Sequence, residues 1–355
     1  MPGPPRAARH LPWASEAFTD GAWRNEKRGN IQRRRNGQTG AALRLFLAVA
    51  AAGLVLVTAF VLFARVWWVF DLFTHFRLQY FVTAVVLAIT ALIVHAYPSA
   101  AVLAAVALGH GLVVKNVWFG ESGPKPDGSG VPLRVISANV YDANSSPEQV
   151  LDFVRREEGD IVILIDAERD RWQPVLAEID ALYRHQAPEM WSQGGPIILF
   201  SRFPILRHEK VHPPGGQRPY LEADLAIDER IVTVVGVHPA SPTVTDPAQS
   251  RQRNRSLNHI GGTIEDRNQP LIVAGDFNTT PWSPHFRDLL AASGLRNAAQ
   301  GQGWIPTWPR QFWPVQVPID HVLVRGPVVV EQVRRGASIG SDHYPVIADL
   351  RLLNP

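Results

Sequence analysis

Residues Leu45–Ala64 read "LFLAVAAAGLVLVTAFVLFA", twenty positions without a charged side chain. At about 1.5 Å per residue, a helix of that length crosses the roughly 30 Å hydrocarbon core of a bilayer. No water is available there to satisfy peptide groups, so such a run has to be helical. Two further runs follow, Tyr80–Tyr97 and Ser99–Phe119, interrupted only by His95, His110 and Lys115, with Pro98 between them. Trp67, Trp68, Tyr80, Tyr97 and Trp118 flank the runs, as aromatic belts do at membrane interfaces. The segment before Leu45 is too long for a signal peptide. Three transmembrane helices over residues 45–119 are therefore expected. His95 and His110 read as neutral histidines tolerated near helix ends.

Charge sets the orientation. Residues 1–44 carry nine Lys/Arg against three Asp/Glu, and no helical or strand period persists in them. They are predicted to form a disordered basic tail held in the cytoplasm. Three crossings then put everything after Phe119 outside the cytoplasmic membrane. Residues 124–355 carry 23 Lys/Arg against 27 Asp/Glu, a field that does not favour a nucleic-acid backbone. The chain has no cysteine, which excludes disulfides, thiolate nucleophiles and Cys-bound metals.

Residues 120–130, "GESGPKPDGSG", read as a linker. Residues 131–355 then change pattern. Short Val- and Ile-rich runs bounded by Gly, Pro, Asp or Asn read as strands: "LRVISANV", "DIVILID", "PIILFS", "LEADLAI", "RIVTVVGVH", "PLIVAGDFN", "IDHVLVR" and "YPVIADLRL". Helix-like segments lie between some of them. "SPEQVLDFVRREEG" offers Ser145 or Ser146 as N-cap and Gly159 as C-cap, and "SPHFRDLLAASG" is likewise bounded by Ser and Gly. Many strands with few helices point to two packed sheets with helices outside.

The strands end in chemically useful residues: Asn139, Asp166 with Glu168, His238, and Asp276 with Asn278. Asp320 opens another strand, and Asp342 and His343 precede the last. If these converge on one sheet edge, the mouth holds carboxylates, amides and imidazoles. Oxygen donors of that kind suit Mg²⁺, Mn²⁺ or Ca²⁺ rather than zinc.

The pieces "ANV", "DIVILID", "ILFSRFPI", "GVHPASP", "GDFNTTPWS", "IDHVLV" and "SDHYPV", in this order, resemble the endonuclease/exonuclease/phosphatase (DNase I-like) superfamily over roughly Leu133–Leu353. With the N-terminal spans, the chain resembles a membrane-anchored bacterial branch of it. The resemblance implies an α/β fold, a four-layer sandwich of two mixed β-sheets flanked by helices, here preceded by three transmembrane helices. It implies metal-assisted phosphoester hydrolysis. Asn139, Asp166 and Asp342 would hold Mg²⁺, with Mn²⁺ or Ca²⁺ as substitutes. Asp276 would deprotonate water, and Asn278 would steady phosphoryl oxygens or the metal. His238 and His343 would donate to the phosphate, with Asp320 orienting His343. The superfamily pattern ends the second strand in Gln-Glu. Here Asp166 stands at the motif position with Glu168 two residues on, so Glu168 is the alternative ligand. Extended geometry would point both carboxylates to one face.

Three functions follow from these residues: a membrane-anchored phosphodiesterase or phosphatase acting outside the membrane on a small or lipid-linked phosphoester, an extracytoplasmic nuclease, or a decayed site on a membrane scaffold. Besides substrate, the expected partner is the bilayer. "SRFPI" reads as structural and Arg251–Arg255, "RQRNR", as a solvated charge run. The aromatic loop Gly303–Pro314 reads as core packing.

Overall fold

The computed structural model describes residues 13–121, 129–189, 195–215, 218–264 and 267–354, together with Gly3 and Gly123. The expected tail over residues 1–12 otherwise falls outside them. From Trp13 the backbone is already helical, and α1 runs to Leu62. This corrects the disordered reading for residues 13–44. Once the apolar span has formed a helix, each added residue extends it without a new nucleation step.

Among the described residues, three segments are long and apolar enough to cross a membrane: Gln38–Leu62, Trp68–Ile93 and Tyr97–Phe119. The second is built of α2 (Trp68–Phe73), a single tight turn at Thr74–Phe76, and α3 (Arg77–Ile93). The third joins α4 (Tyr97–Val114) to α5 (Asn116–Phe119). Leu47 and Ala51 of α1 pack with Ala88 and Ala91 of α3 and with Ala100 and Leu103 of α4. Alanines let the backbones approach closely, and close packing is what holds helices together where no hydrophobic drive exists. Leu45, Phe46, Val49, Val86 and Ile89 face outward. His110 is buried and shares a 3.1 Å hydrogen bond with Thr58.

The rest is a four-layer sandwich. One six-stranded sheet contains β1 (Val131–Asn139), β2 (Ile161–Ile165), β3 (His185–Glu189), β4 (Ile197–Ser201), β11 (Val328–Arg335) and β12 (Val346–Leu352), in the order β11-β12-β1-β2-β4-β3. The other contains β5 (Ile205–Val211), β6 (Tyr220–Ile227), β7 (Arg230–Val237), β8 (Leu271–Asp276), β9 (Arg296–Asn297) and β10 (Asp320–Arg325), in the order β5-β6-β7-β8-β10-β9. Each sheet is mixed, with β1–β2 and β7–β8 parallel and the other pairs antiparallel.

Alternate strand residues meet between the sheets, among them Val135, Ile163, Leu199, Val234, Ile272 and Val322. The other set of each sheet packs under helices. α6 (Glu148–Glu157) and α7 (Arg169–Asp180) cover the first sheet through Val150, Phe153 and Trp172. α8 (Pro247–Ile264) and α9 (Pro284–Ser293) cover the second through Leu257, Ile260, Phe286 and Leu289. Ser283 caps α9 by accepting from the His285 N–H, and Gly294 closes it in the left-handed conformation, as the sequence suggests. α6 ends on Glu158 (φ 50°) instead of the expected Gly159. Gly159 serves packing: a Cβ there would stand 2.7 Å from Ile136 Cδ1.

Ahead of the expected linker, residues 120–130, of which 122 and 124–128 lie outside the described residues, the helical part is bonded to the strand-rich part. The carbonyls of Asn116 and Val117 accept from Gly301 and Gly303 N–H. Gln79 Nε2 donates to Gln316 O at 2.9 Å, and Arg65 makes a forked pair with Asp288 at 2.6 and 2.7 Å. At the centre, Asp71 of α2 pairs with Arg253 of α8 and accepts from Ser283 Oγ at 2.8 Å. Asp71 and Arg253 are both essentially inaccessible. Arg253 therefore departs from the expected solvated run, although Arg251 and Arg255 are exposed.

Removing one member of a buried pair strands the other charge, at a cost of about 3–5 kcal/mol. Asp71→Ala should lower full-chain stability by that amount in denaturant unfolding followed by tryptophan fluorescence in micelles. Asp71→Ala/Arg253→Met should recover part of it. An unchanged midpoint in Asp71→Ala would show that the pair does not hold the two parts together.

Candidate active site

The two sheets bring their polar strand ends to one side. Asn139, Asp166, His238, Asp276, Asn278, Asp342 and His343 line a single cleft of about 530 Å³. Asp320 stands behind His343 and lines a neighbouring cavity. Glu168 is exposed and opens α7, its carbonyl accepting from Trp172 N–H.

Asp276 ends β8 and is almost wholly buried. Its Oδ1 accepts from the Asn278 N–H at 2.8 Å, and its Oδ2 from Asn139 Nδ2 at 3.1 Å. Strand register sets Asp320 opposite it. Burial, then the Asp320 carboxylate, push the Asp276 pKa up to about 6 against the pull of His343 and His238.

His343 Nδ1 lies 2.9 Å from Asp320 Oδ2, and its Nε2 3.8 Å from Asp276 Oδ2. Burial opposes its charge, but Asp320 and then Asp276 outweigh it and raise the pKa to about 10. His238 sits one residue past β7, with Nδ1 3.2 Å from Asp166 Oδ1 and Nε2 3.7 Å from Asp276 Oδ2. Burial again opposes charge, and Asp166 and Asp276 together raise its pKa. Asp166 is the converse: burial would raise it, but the His238 imidazole holds it below the usual carboxylate range. The result is a carboxylate close to its protonation point between two imidazoles biased towards the cation.

Two residues adopt left-handed backbone to reach the cleft. Asn278 (φ 51°) turns its Nδ2 to Pro239 O at 3.1 Å, while its own carbonyl accepts from Arg253 Nη1 at 3.2 Å. Asp166 (φ 60°) leaves the strand path, so the extended geometry expected to align it with Glu168 does not hold. Gly195 lies against it so closely that a Cβ would meet Asp166 Oδ1 at 1.6 Å.

The donor set fits a hard divalent cation. Carboxylate and amide oxygens dominate it, and Asp342 Oδ1 and Asp320 Oδ1 are buried without a hydrogen-bond partner among the described residues. Ligand atoms of Asp276, Asp320 and His343 also lie within 4.8 Å of one another. There, however, Nδ1 of His343 and one Asp320 oxygen are already engaged with each other.

Sequence reasoning missed several residues of this cleft. Arg218, whose Nη1 lies 3.5 Å from His238 Nε2, comes from a loop with no motif to mark it. Leu72, His75 and Phe76 come from the apolar N-terminal part. The aromatic loop is only partly core. Trp304 stacks on Trp282 at 5.8 Å, whereas Trp308 lines the cleft and donates Nε1 to Asp342 Oδ2 at 3.1 Å, and Phe312 and Trp313 are exposed. "SRFPI" is structural as expected: Ser201 Oγ accepts from Phe203 N–H, and Arg202 pairs with Asp160 at 3.4 Å.

A search of curated proteins finds no match to this sequence. Among solved structures, an endonuclease/exonuclease/phosphatase from Bacteroides vulgatus superposes with a TM-score of 0.52 at 19% identity, covering 62% of this chain and 99% of that one. Humanized D. rerio TDP2 superposes at 0.51 with 16% identity, over 62% of this chain and 99% of that one. An endonuclease/exonuclease/phosphatase from Beutenbergia cavernae DSM 12333 gives 0.51 at 19% identity, over 63% and 72%. At these identities the likeness concerns the fold. The sequence itself matches the Endonuclease/Exonuclease/phosphatase family over residues 116–343. With the two mixed sheets and the strand-end cleft in place, the chain belongs to the Endonuclease/Exonuclease/phosphatase family of metal-dependent phosphoester hydrolases.

Proposed function

We propose that the chain is a membrane-anchored phosphoester hydrolase that uses Mg²⁺ and acts outside the cytoplasmic membrane. The convergence of seven strand-end residues on one cleft carries this reading and speaks against a decayed scaffold. Asn139, Asp166 and Asp342 would hold the cation, which would polarise the phosphoryl group and offset its charge. Asp276 takes a proton from water held beside it. Its two hydrogen-bond donors, Asn139 and the Asn278 N–H, fix its orientation. His238 and His343 donate to phosphoryl oxygens as negative charge develops on them. Asp320 fixes the ring of His343 and favours its cation. Arg218 and His238 crowd two cationic groups together, a repulsion that a bound phosphate anion relieves.

The outward placement rests on geometry as well as on the basic N-terminal stretch. α2, the start of α3 and the end of α4–α5 all bond to the catalytic domain. They therefore share one end of the bundle, and the Arg-rich part of α1 leaves from the other. A reporter active only in the cytoplasm, fused after Pro355, should be silent; activity would reverse the topology.

Hydrolysis of bis-(p-nitrophenyl) phosphate by the full chain should require added Mg²⁺ and vanish in excess EDTA. Asp276→Asn should lower turnover by about 10²–10⁴-fold. Asp276 must be ionised, so at low cation concentration the rate should climb as pH rises through about 6. It should decline as His343 loses its proton near pH 10. Full activity of Asp276→Asn, or in EDTA, would overturn the reading.

Asp166→Ala should abolish Mg²⁺-dependent turnover, while Glu168→Ala keeps most of it. Asp166 lines the cleft, and Glu168 does not. Titrating Mg²⁺ against activity in both variants checks this, and the reverse ranking would transfer the ligand role.

A further inference from the structure

The catalytic cleft is not made by the catalytic domain alone. Leu72, His75 and Phe76, from the short segment that leads into α3, form part of its wall. This segment is fixed in place by the buried Asp71–Arg253 pair, by Ser283, and one turn later by Gln79 on Gln316. The wall is continuous with a helix long and apolar enough to cross a bilayer. On the domain's side the cleft is lined by Pro242, Val244 and Trp308, and Val244 is largely exposed. The floor is ionic and the sides are apolar. His75 is more than nine-tenths buried, and its Nε2 has no hydrogen-bond partner among the described residues. A buried polar atom without a partner at a ligand cleft points to a ligand that supplies one.

Three substrate classes can be weighed against this shape. A nucleic acid needs a basic track for its backbone, but residues 124–355 carry more acidic than basic side chains. A small soluble phosphoester gains nothing from an apolar wall. An amphiphile in the bilayer can raise its phosphoester to the ionic floor while its chain stays against Leu72 and Phe76.

Resting on the reading of the site as a phosphoester hydrolase, we propose that its substrate is a membrane lipid phosphoester, taken directly from the bilayer along the wall formed by Leu72, His75 and Phe76. Water oxygen forms a bond to phosphorus, and one P–O ester bond breaks with its electron pair on the departing oxygen. That oxygen ends as an alcohol with one proton, and the second product is the phosphate bearing the water oxygen. His75 Nε2 meets a polar atom of the headgroup or of the glycerol region.

The test uses the full chain in vesicles of phosphatidylethanolamine and phosphatidylglycerol with Mg²⁺, with product formation read by ³¹P NMR. The matching deacylated glycerophosphodiesters, plasmid DNA and bis-(p-nitrophenyl) phosphate run alongside. Lipid should be cleaved with kcat/KM at least about tenfold above its deacylated counterpart, on the scale that apolar pocket contacts discriminate. Leu72→Ser/Phe76→Ser should cut that lipid-to-deacylated ratio by about tenfold or more. His75→Leu should lower it too, chiefly through KM. Because each variant is read as a ratio on one preparation, misfolding cannot mimic the result. Leu72→Ala gives a milder check if the double variant is inactive on every substrate. Equal cleavage of lipid and deacylated diester, a ratio unmoved by these variants, or preferred cleavage of DNA would overturn the lipid inference and leave the hydrolase reading standing. Loss of all hydrolysis in wild type, including that of bis-(p-nitrophenyl) phosphate, would overturn both.

Discussion

Asp276, in the cleft, and Asp320, behind it, face each other across adjacent antiparallel strands. Two buried carboxylates in that position repel, and neither can be solvated. The pairing persists because the loop before β12 delivers His343 between them, with one ring nitrogen towards each. β12 lies in the other sheet, so the imidazole links the two halves of the sandwich. Burial, together with that repulsion, keeps Asp276 near its protonation point, as the proposed role of general base requires. Structure and chemistry thus rest on one electrostatic triangle. Ser341 supports it, donating Oγ to the Asn139 carbonyl and accepting from the His343 N–H.

A second chain of bonds runs from the apolar bundle to the cleft. Asp71 pairs with Arg253, and Arg253 donates to the carbonyl of Asn278. Asn278 in turn bonds Asp276 through its N–H. The left-handed turn at Asn278 is therefore held from below by an arginine whose charge is balanced from outside the catalytic domain. The helices that precede this domain contribute to the order of its active site as well as to its location.

Much of this was legible in the sequence, and what was not has a physical pattern. All eight strands read from apolar runs are present. The four that were missed, β3, β5, β9 and β11, are the edge strands of the two sheets. Of these, β3 and β5, "HQAPE" and "ILRHEKV", carry the charge and proline with which edge strands discourage further pairing, so their apolar signal is weak, and β9 is only two residues long. The polar residues that gather at the cleft were readable because each lies at the end of a largely buried strand or at or just before the start of one, where a polar side chain stands out. Arg253 was misread as solvated because its partner lies 182 positions away, beyond the reach of any local pattern. Leu72, His75 and Phe76 were hidden for a related reason: within an apolar segment, a cleft-lining residue looks like any other.

The end of the third apolar helix is bonded to the strand-rich part of the chain. Gly301 and Gly303 are bonded to the end of that helix, and Gln79 and Arg65 fasten the domain at two further points. A domain on a slack tether would sample a hemisphere of solvent and meet its substrate at bulk concentration. This one is clamped at a fixed height and tilt relative to the bundle. If, as proposed, the bundle sits in a bilayer and the substrate is a lipid, encounter would be two-dimensional. The relevant variable would be molecules per unit area, which dilution of the surrounding solution leaves unchanged. Bilayer thickness would then act on catalysis directly, since a thicker hydrocarbon layer would lift or sink the mouth of the cleft relative to the plane in which headgroups lie.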